Sequence, residues 1–146
     1  MEVLDNKKPK ILITDGDADN QKFLKLFLSK YFIVTVCDSA EAVYNHLQND
    51  NYDLIILEIA LRGKTNGLEL ASELKKNPKY SHIPILCYTG YAFHQDRINA
   101  LEAGCEKYLS KPTDIRILLS TLFNMLKGKN FSFDEQLINN ICFSQL

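Results

Sequence analysis

No apolar run in this chain approaches the roughly 18 residues that a membrane-spanning helix needs. No charged-then-apolar leader opens it either. Charge of neither sign prevails, since 17 Lys and Arg stand against 18 Asp and Glu, for a formal net charge of −1. That balance argues against nucleic acid or a membrane surface as a partner. Lys7-Lys8-Pro9-Lys10 then reads as a solvated lead-in to the first apolar run. Cysteine chemistry is also missing: Cys37, Cys87, Cys105 and Cys142 make no CxxC spacing and have no histidine pair nearby. They read as reduced, small apolar residues, and a cytoplasmic location is expected. His46, His82 and His94 are scattered and lack an acid at ligand spacing, so ordinary surface or half-buried histidines are expected. Ser110 has no histidine–acid pair to activate it as a nucleophile. Repeats and low-complexity linkers are absent as well.

What is present is ordinary globular composition, 46% hydrophobic and 24% charged over 146 residues, enough for one domain with a real core. Short β-branched or apolar runs at 11–14, 32–37, 53–58, 83–88 and 106–109 read as strands buried on both faces. Helical stretches separate them. Phe23, Leu24, Phe27 and Leu28 form a one-sided stripe in the first. Ser39 can cap the second, which turns Ala42, Val43, His46 and Leu47 inward. The third spans about Leu68 to Lys76 and stops before Pro78. The fourth covers about Phe93 to Ala103 and ends at Gly104. Thr113 is expected to cap the fifth, with Ile117, Leu118, Thr121, Leu122 and Met125 facing inward. Five strand–helix units predict an α/β fold: a flavodoxin-like (βα)5 doubly wound, five-stranded parallel sheet.

Four of the strands end in polar groups: Asp15, Glu58, Thr89 and Lys111. In an open parallel sheet, ligands and chemistry gather at the carboxyl ends of the strands. One edge of the sheet should therefore bring two carboxylates, a hydroxyl and an ammonium together.

With Ala103-Gly104-Cys105-Glu106-Lys107-Tyr108-Leu109-Ser110-Lys111-Pro112 and Gly67-Leu68-Glu69-Leu70, this ordered set resembles the receiver domain of bacterial response regulators. The resemblance covers residues 10 to about 127. It implies an acid that accepts a phosphoryl group at the end of the third strand and Mg2+ held by hard oxygen ligands. It further implies a Thr and a Lys that hold the phosphate, with Thr89 and Tyr108 as switch residues. The partners implied are a sensor histidine kinase or an output protein. They would meet the face made by the fourth helix, fifth strand and fifth helix, and a homodimer is a further possibility.

The chain departs from that pattern in three places. Glu58 stands where the phosphoacceptor Asp belongs, and the extra methylene moves the carboxylate by roughly 1.5 Å. Gly16 stands where the second metal-binding acid belongs. Arg62 replaces the usual loop proline, and Gly67 comes one residue late. Together these predict a degenerate receiver acting as a phosphorylation-independent interaction module, without turnover of its own. No resident cofactor or metal is expected; Mg2+, if bound, would have to use Asp15, Asp17 and Glu58. Asp17 could replace the lost ligand across the flexible Gly16, or Asp17 or Asp19 could cap the first helix. Glu58, Lys111 and Thr89 could form a metal-free network that fixes one state of the signalling face, or Glu58 could merely balance Lys111. A receiver still phosphorylated through a rearranged acidic pocket is the alternative. A flavodoxin-like small-molecule binder is a further one, disfavoured because no Gly-rich phosphate loop follows the first strand.

Tyr88, Tyr91 and Phe93 make an aromatic stretch past Thr89, open to either packing or partner binding. The receiver unit is expected over 1–127 and a C-terminal tail over 128–146. Ser132 and Glu135 form a capping-box pattern there, and Leu137, Ile138 and Ile141 an apolar stripe, which predict one short extra helix. That stripe is expected to dock on the domain's own surface or else to meet a partner.

Overall fold

The computed structural model describes residues 8–128, so the expected tail helix lies outside the described residues. Ten elements alternate: β1 (Lys10–Thr14), α1 (Ala18–Leu28), β2 (Ile33–Cys37), α2 (Ala40–Asn49), β3 (Leu54–Leu57), α3 (Gly67–Lys76), β4 (Ile85–Thr89), α4 (His94–Glu102), β5 (Lys107–Ser110) and α5 (Ile115–Leu126). The strands form one parallel sheet in the order β2-β1-β3-β4-β5. The doubly wound (βα)5 architecture read from the sequence is the one found.

The apolar runs become strands because both of their faces are covered. Ile11, Ile13, Leu54, Ile56, Leu86 and Tyr88 point to the side where α1 and α5 pack. Their alternates Leu12, Ile55, Leu57, Ile85 and Cys87 point to the side of α2, α3 and Ala100 of α4. A side-chain period of two along each strand thus feeds two cores, which is why the runs show no polar alternation. Among the described residues no helix is long and apolar enough to cross a membrane.

The helix starts follow short polar side chains. Asp17 caps α1 by accepting from the N–H groups of Asp19 and Asn20, and Ser39 caps α2 through Ala42. Asn66 and Glu69 make a reciprocal capping box on α3 that the sequence reading missed. Two expectations for α5 are corrected. Asp114, not Thr113, caps it, while the Thr113 hydroxyl turns back to donate to the Ser110 carbonyl. Its buried stripe is Leu118, Leu119, Leu122, Phe123 and Leu126, whereas Ile117 is 53% exposed. The true stripe is rotated from the expected one because α5 packs against Phe32 and Tyr31 through Phe123. In α1, likewise, Leu24 and Leu28 are buried but Phe23 is 50% exposed. His46, expected to face inward, is only half-buried.

Two glycines are needed where they stand. A Cβ on Gly67 would lie 2.2 Å from the Glu58 carbonyl oxygen, so only glycine lets α3 start against the end of β3. Gly104 has φ +107° and ends the α4 turn.

Candidate functional site

The carboxyl edge of β1, β3, β4 and β5 gathers the polar strand ends into one buried cluster. The Asp15 N–H donates to the Cys37 carbonyl at 3.0 Å, and the Glu58 N–H donates to the Thr14 carbonyl at 2.9 Å. These ladder-like bonds hold both acids just past their strands. Asp15 is 3% exposed and Glu58 8%. The Lys111 N–H donates to the Thr89 carbonyl at 2.8 Å, which aims the lysine stem along the sheet edge.

Lys111 Nζ then donates to Asp15 Oδ2 at 2.7 Å and to Glu58 Oε1 at 3.0 Å. It also lies 5.3 Å from the centre of the Tyr88 ring. Every remaining carboxylate oxygen has a backbone donor. Asp15 Oδ1 accepts from the Asp17 N–H at 2.8 Å, Glu58 Oε2 from the Ile59 N–H at 2.7 Å, and Glu58 Oε1 also from Gly90 at 3.3 Å. No buried side-chain polar atom among the described residues lacks a partner. Two carboxylates and one ammonium leave this cluster with a formal charge of −1, spread over fixed N–H dipoles.

Burial is the largest single influence on the Lys111 ammonium and acts to lower its pKa. The Asp15 hydrogen bond and the charges of Glu58 and Asp15 together outweigh it, holding Lys111 above its ordinary range. The Tyr88 phenol is also pushed up, chiefly by burial; Lys111 opposes this, and the two acids add to it.

The expected switch residues lie alongside. Thr89 is fully buried, and its Oγ1 accepts from the Tyr91 N–H at 3.1 Å. The Tyr108 hydroxyl donates to the Tyr91 carbonyl. Both groups therefore grip one residue of the β4–α4 loop from opposite sides. The network that unites Glu58 with Lys111 takes Asp15 as its third member, while the Thr89 hydroxyl accepts from the Tyr91 N–H. The roles of the Tyr91 backbone groups and of the Ile59 and Gly90 N–H donors were missed by sequence reasoning, which had marked Tyr91 only as part of an aromatic stretch. Backbone groups leave no residue-type signal, so only the loop path could reveal them.

The chemistry of Mg2+ binding does not fit these residues. Gly16 supplies no side-chain oxygen, and a Cβ there would meet the Ala60 carbonyl at 3.1 Å. Asp17 Oδ1 is engaged as the α1 cap, accepting from the N–H groups of Asp19 and Asn20. Lys111 already holds an oxygen of each remaining acid. Among the described residues no group of three or more His, Cys, Asp or Glu is arranged to hold a metal ion. Arg62, in place of the usual proline, donates from Nε to the Gly16 carbonyl at 3.4 Å and pairs with Asp38 at 3.5 Å. It thereby ties the β1–α1, β2–α2 and β3–α3 loops around a cleft of about 480 Å3 lined by Asp15, Gly16, Asp17 and Glu58.

A second concavity of about 620 Å3 lies between α4, β5 and α5, with Phe93, Arg97, Tyr108 and Ile117 on its walls. Phe93 is 78% exposed there.

A family model described as the response regulator receiver domain matches residues 11–123. The chain is 34% identical over 118 residues to the "Probable transcriptional regulator ycf29" of Pyropia yezoensis, covering 80% of this chain and 53% of that protein. It is 30% identical over 116 residues to the TorCAD operon transcriptional regulatory protein TorR of Escherichia coli, covering 80% of this chain and 49% of that protein. The chain thus spans about half the length of these two relatives. A crystal structure of a two-component response regulator from Clostridium difficile superposes with a TM-score of 0.76 at 33% identity, covering 84% of this chain and 99% of that one.

Proposed function

The chain belongs to the response regulator receiver family, and on that premise we propose that it is a receiver that works as an interaction module without aspartyl phosphorylation. The observation that carries this reading is Lys111 bridging Asp15 and Glu58 in a site where Gly16 removes a metal ligand. In a phosphorylatable receiver the resemblance calls for a free carboxylate nucleophile, a divalent cation and a lysine available to the incoming phosphoryl group. Here the lysine is engaged, and both oxygens of Glu58 accept hydrogen bonds. A glutamate bears about one negative charge where a phosphorylated residue bears about −1.5 to −2. The internal ion pairs thus hold one arrangement of the edge without waiting for phosphate.

The surface offered to a partner is the α4–β5–α5 concavity. Phe93 and Ile117 supply exposed apolar anchors, and Tyr108 and Thr89 fix the adjoining loop. A sensor kinase or an output protein is the fitting class of partner, bound without turnover in this chain.

Titration with Mg2+ alone, followed through the backbone amides of Asp15, Glu58 and Gly90, tests the metal-free part of the reading. No saturable shift is expected. Saturable shifts centred on Asp15 and Asp17 would favour a receiver still phosphorylated through a rearranged pocket.

A further inference from the structure

The balance of 17 bases and 18 acids holds for the whole chain but not for its two helical layers. On one side of the sheet, α2, α3 and α4 carry Glu41, Glu69, Glu73, Asp96 and Glu102 against Lys75, Lys76 and Arg97. On the other side lie α1 and α5. Their acids stand only where the helices begin. Asp17 caps α1 with Asp19 in its first turn, and Asp114 caps α5 and pairs with Arg116. Beyond those starts, residues 20–37 and 117–128 carry Lys22, Lys25, Lys30 and Lys127 and no acid. All four lysines are exposed, as is Lys8, whose Nζ donates to the Ser29 carbonyl at 3.4 Å just past α1. Tyr31, in the connection from α1 to β2, meets Phe123 of α5 edge-on at 6.0 Å, so the two helices end close together. One face of a nearly neutral chain is therefore basic.

Apolar side chains project from the same face. Phe23 is 50% exposed and Leu26 74%. Leu24 and Leu28 are the buried side of α1. At 3.6 residues per turn Leu26 points opposite both of them, with Phe23 to one side and Lys22 and Lys25 to the other. A helix that is basic and apolar on its outer side suits the boundary between lipid headgroups and acyl chains. There an apolar side chain is buried while lysine stems reach the phosphates. Nucleic acid fits less well, because Leu26 offers neither a hydrogen bond to a base edge nor a ring to stack on.

We propose that the α1–α5 face is a peripheral docking site for an anionic lipid surface, with Phe23 and Leu26 entering the headgroup boundary among Lys22, Lys25, Lys30 and Lys127. The chain lies on the surface and does not cross it. The site stands independently of the phosphorylation-independent reading, and Phe93 and Tyr108 stay open to a protein partner.

The chain has no tryptophan, so Leu26→Trp supplies a single fluorescent reporter. Its emission should move to shorter wavelength with mixed phosphatidylserine–phosphatidylcholine vesicles and stay unchanged with phosphatidylcholine alone. Phe93→Trp, also on an exposed site, should respond to neither. The full chain should sediment with the mixed vesicles and be released as salt rises. A lysine near an anionic surface strengthens partitioning about fivefold, so Lys22→Gln/Lys25→Gln should weaken it by roughly 25-fold. Phe23→Ser/Leu26→Ser should weaken it as well, and since all four positions are exposed, circular dichroism should show both variants folded. No binding to the mixed vesicles, equal binding to neutral ones, or a response from Phe93→Trp in place of Leu26→Trp would each overturn the proposal. Binding to duplex DNA that exceeds vesicle binding and survives Phe23→Ser/Leu26→Ser would overturn it in favour of nucleic acid.

Discussion

Replacing Lys111 by Met removes the cation shared by Asp15 and Glu58 while keeping most of the buried stem. Both acids are buried, and both lie within hydrogen-bond reach of the one Nζ. Removing one partner of a buried ion pair costs about 3–5 kcal/mol, because the remaining charge is left uncompensated. Here two like charges are left facing each other; about 5 Å apart at an effective dielectric near 20, they repel by about 3 kcal/mol. Glu58→Gln should therefore act with opposite sign in the two backgrounds. With Lys111 present, the amide cannot accept from Lys111 and from the Ile59 N–H together, so one donor goes unmet at a cost of about 1–2 kcal/mol. With Met at 111, the same change removes the repulsion and should restore about 1–3 kcal/mol. Urea unfolding of the four proteins, read by circular dichroism at neutral pH, measures the cycle. If the Met variant alone does not fold, folding of the double variant still reads the sign. An equal effect of Glu58→Gln in both backgrounds would refute the coupled cluster.

Gly67→Ala should destabilise the fold by on the order of 1–3 kcal/mol, because the new methyl meets the Glu58 carbonyl and α3 must shift; a neutral result in urea unfolding would contradict that contact. Lys111 is held above its ordinary value of 10.5, so its stabilisation is complete below that value and is lost as pH rises through the higher folded value. Wild type should accordingly lose stability more steeply above pH 10.5 than Lys111→Met does, with equal slopes counting against the ion pairs. Tyr108→Phe releases the Tyr91 carbonyl and should speed amide hydrogen exchange across residues 90–93, with α1 as the unaffected internal control.

Much of this was legible in the sequence, and the reasons are specific. Ile11–Thr14, Leu54–Leu57 and Ile85–Thr89 announce themselves as strands because helices cover both faces, leaving no polar alternation to confuse the reading. Asp15, Glu58 and Lys111 were predictable neighbours because a parallel sheet delivers its strand ends to one edge. The role of Asp15 as the third member of the cluster was not predictable. It depends on where the Lys111 Nζ comes to lie between the two acids, which the path of the chain decides and residue type does not. The phase of α5 was misread for a related reason. Ile117 and Phe123 are both apolar, and only the aromatic contacts of Phe123 with Tyr31 and Phe32 decide which one turns inward. Thr113 and Asp114 are adjacent and both competent caps, so one residue of difference in the path of the chain selects between them.

Intact-mass spectrometry after incubation with acetyl phosphate and Mg2+ bears most directly on whether the site has given up phosphoryl transfer. The native chain should gain no phosphoryl mass, whereas Glu58→Asp with Gly16→Asp should gain one, provided circular dichroism shows that the double variant absorbs the tight contact at Gly16. Stoichiometric uptake by the native chain, mapped to Asp15, Asp17 or Glu58, would contradict a receiver locked by its own lysine.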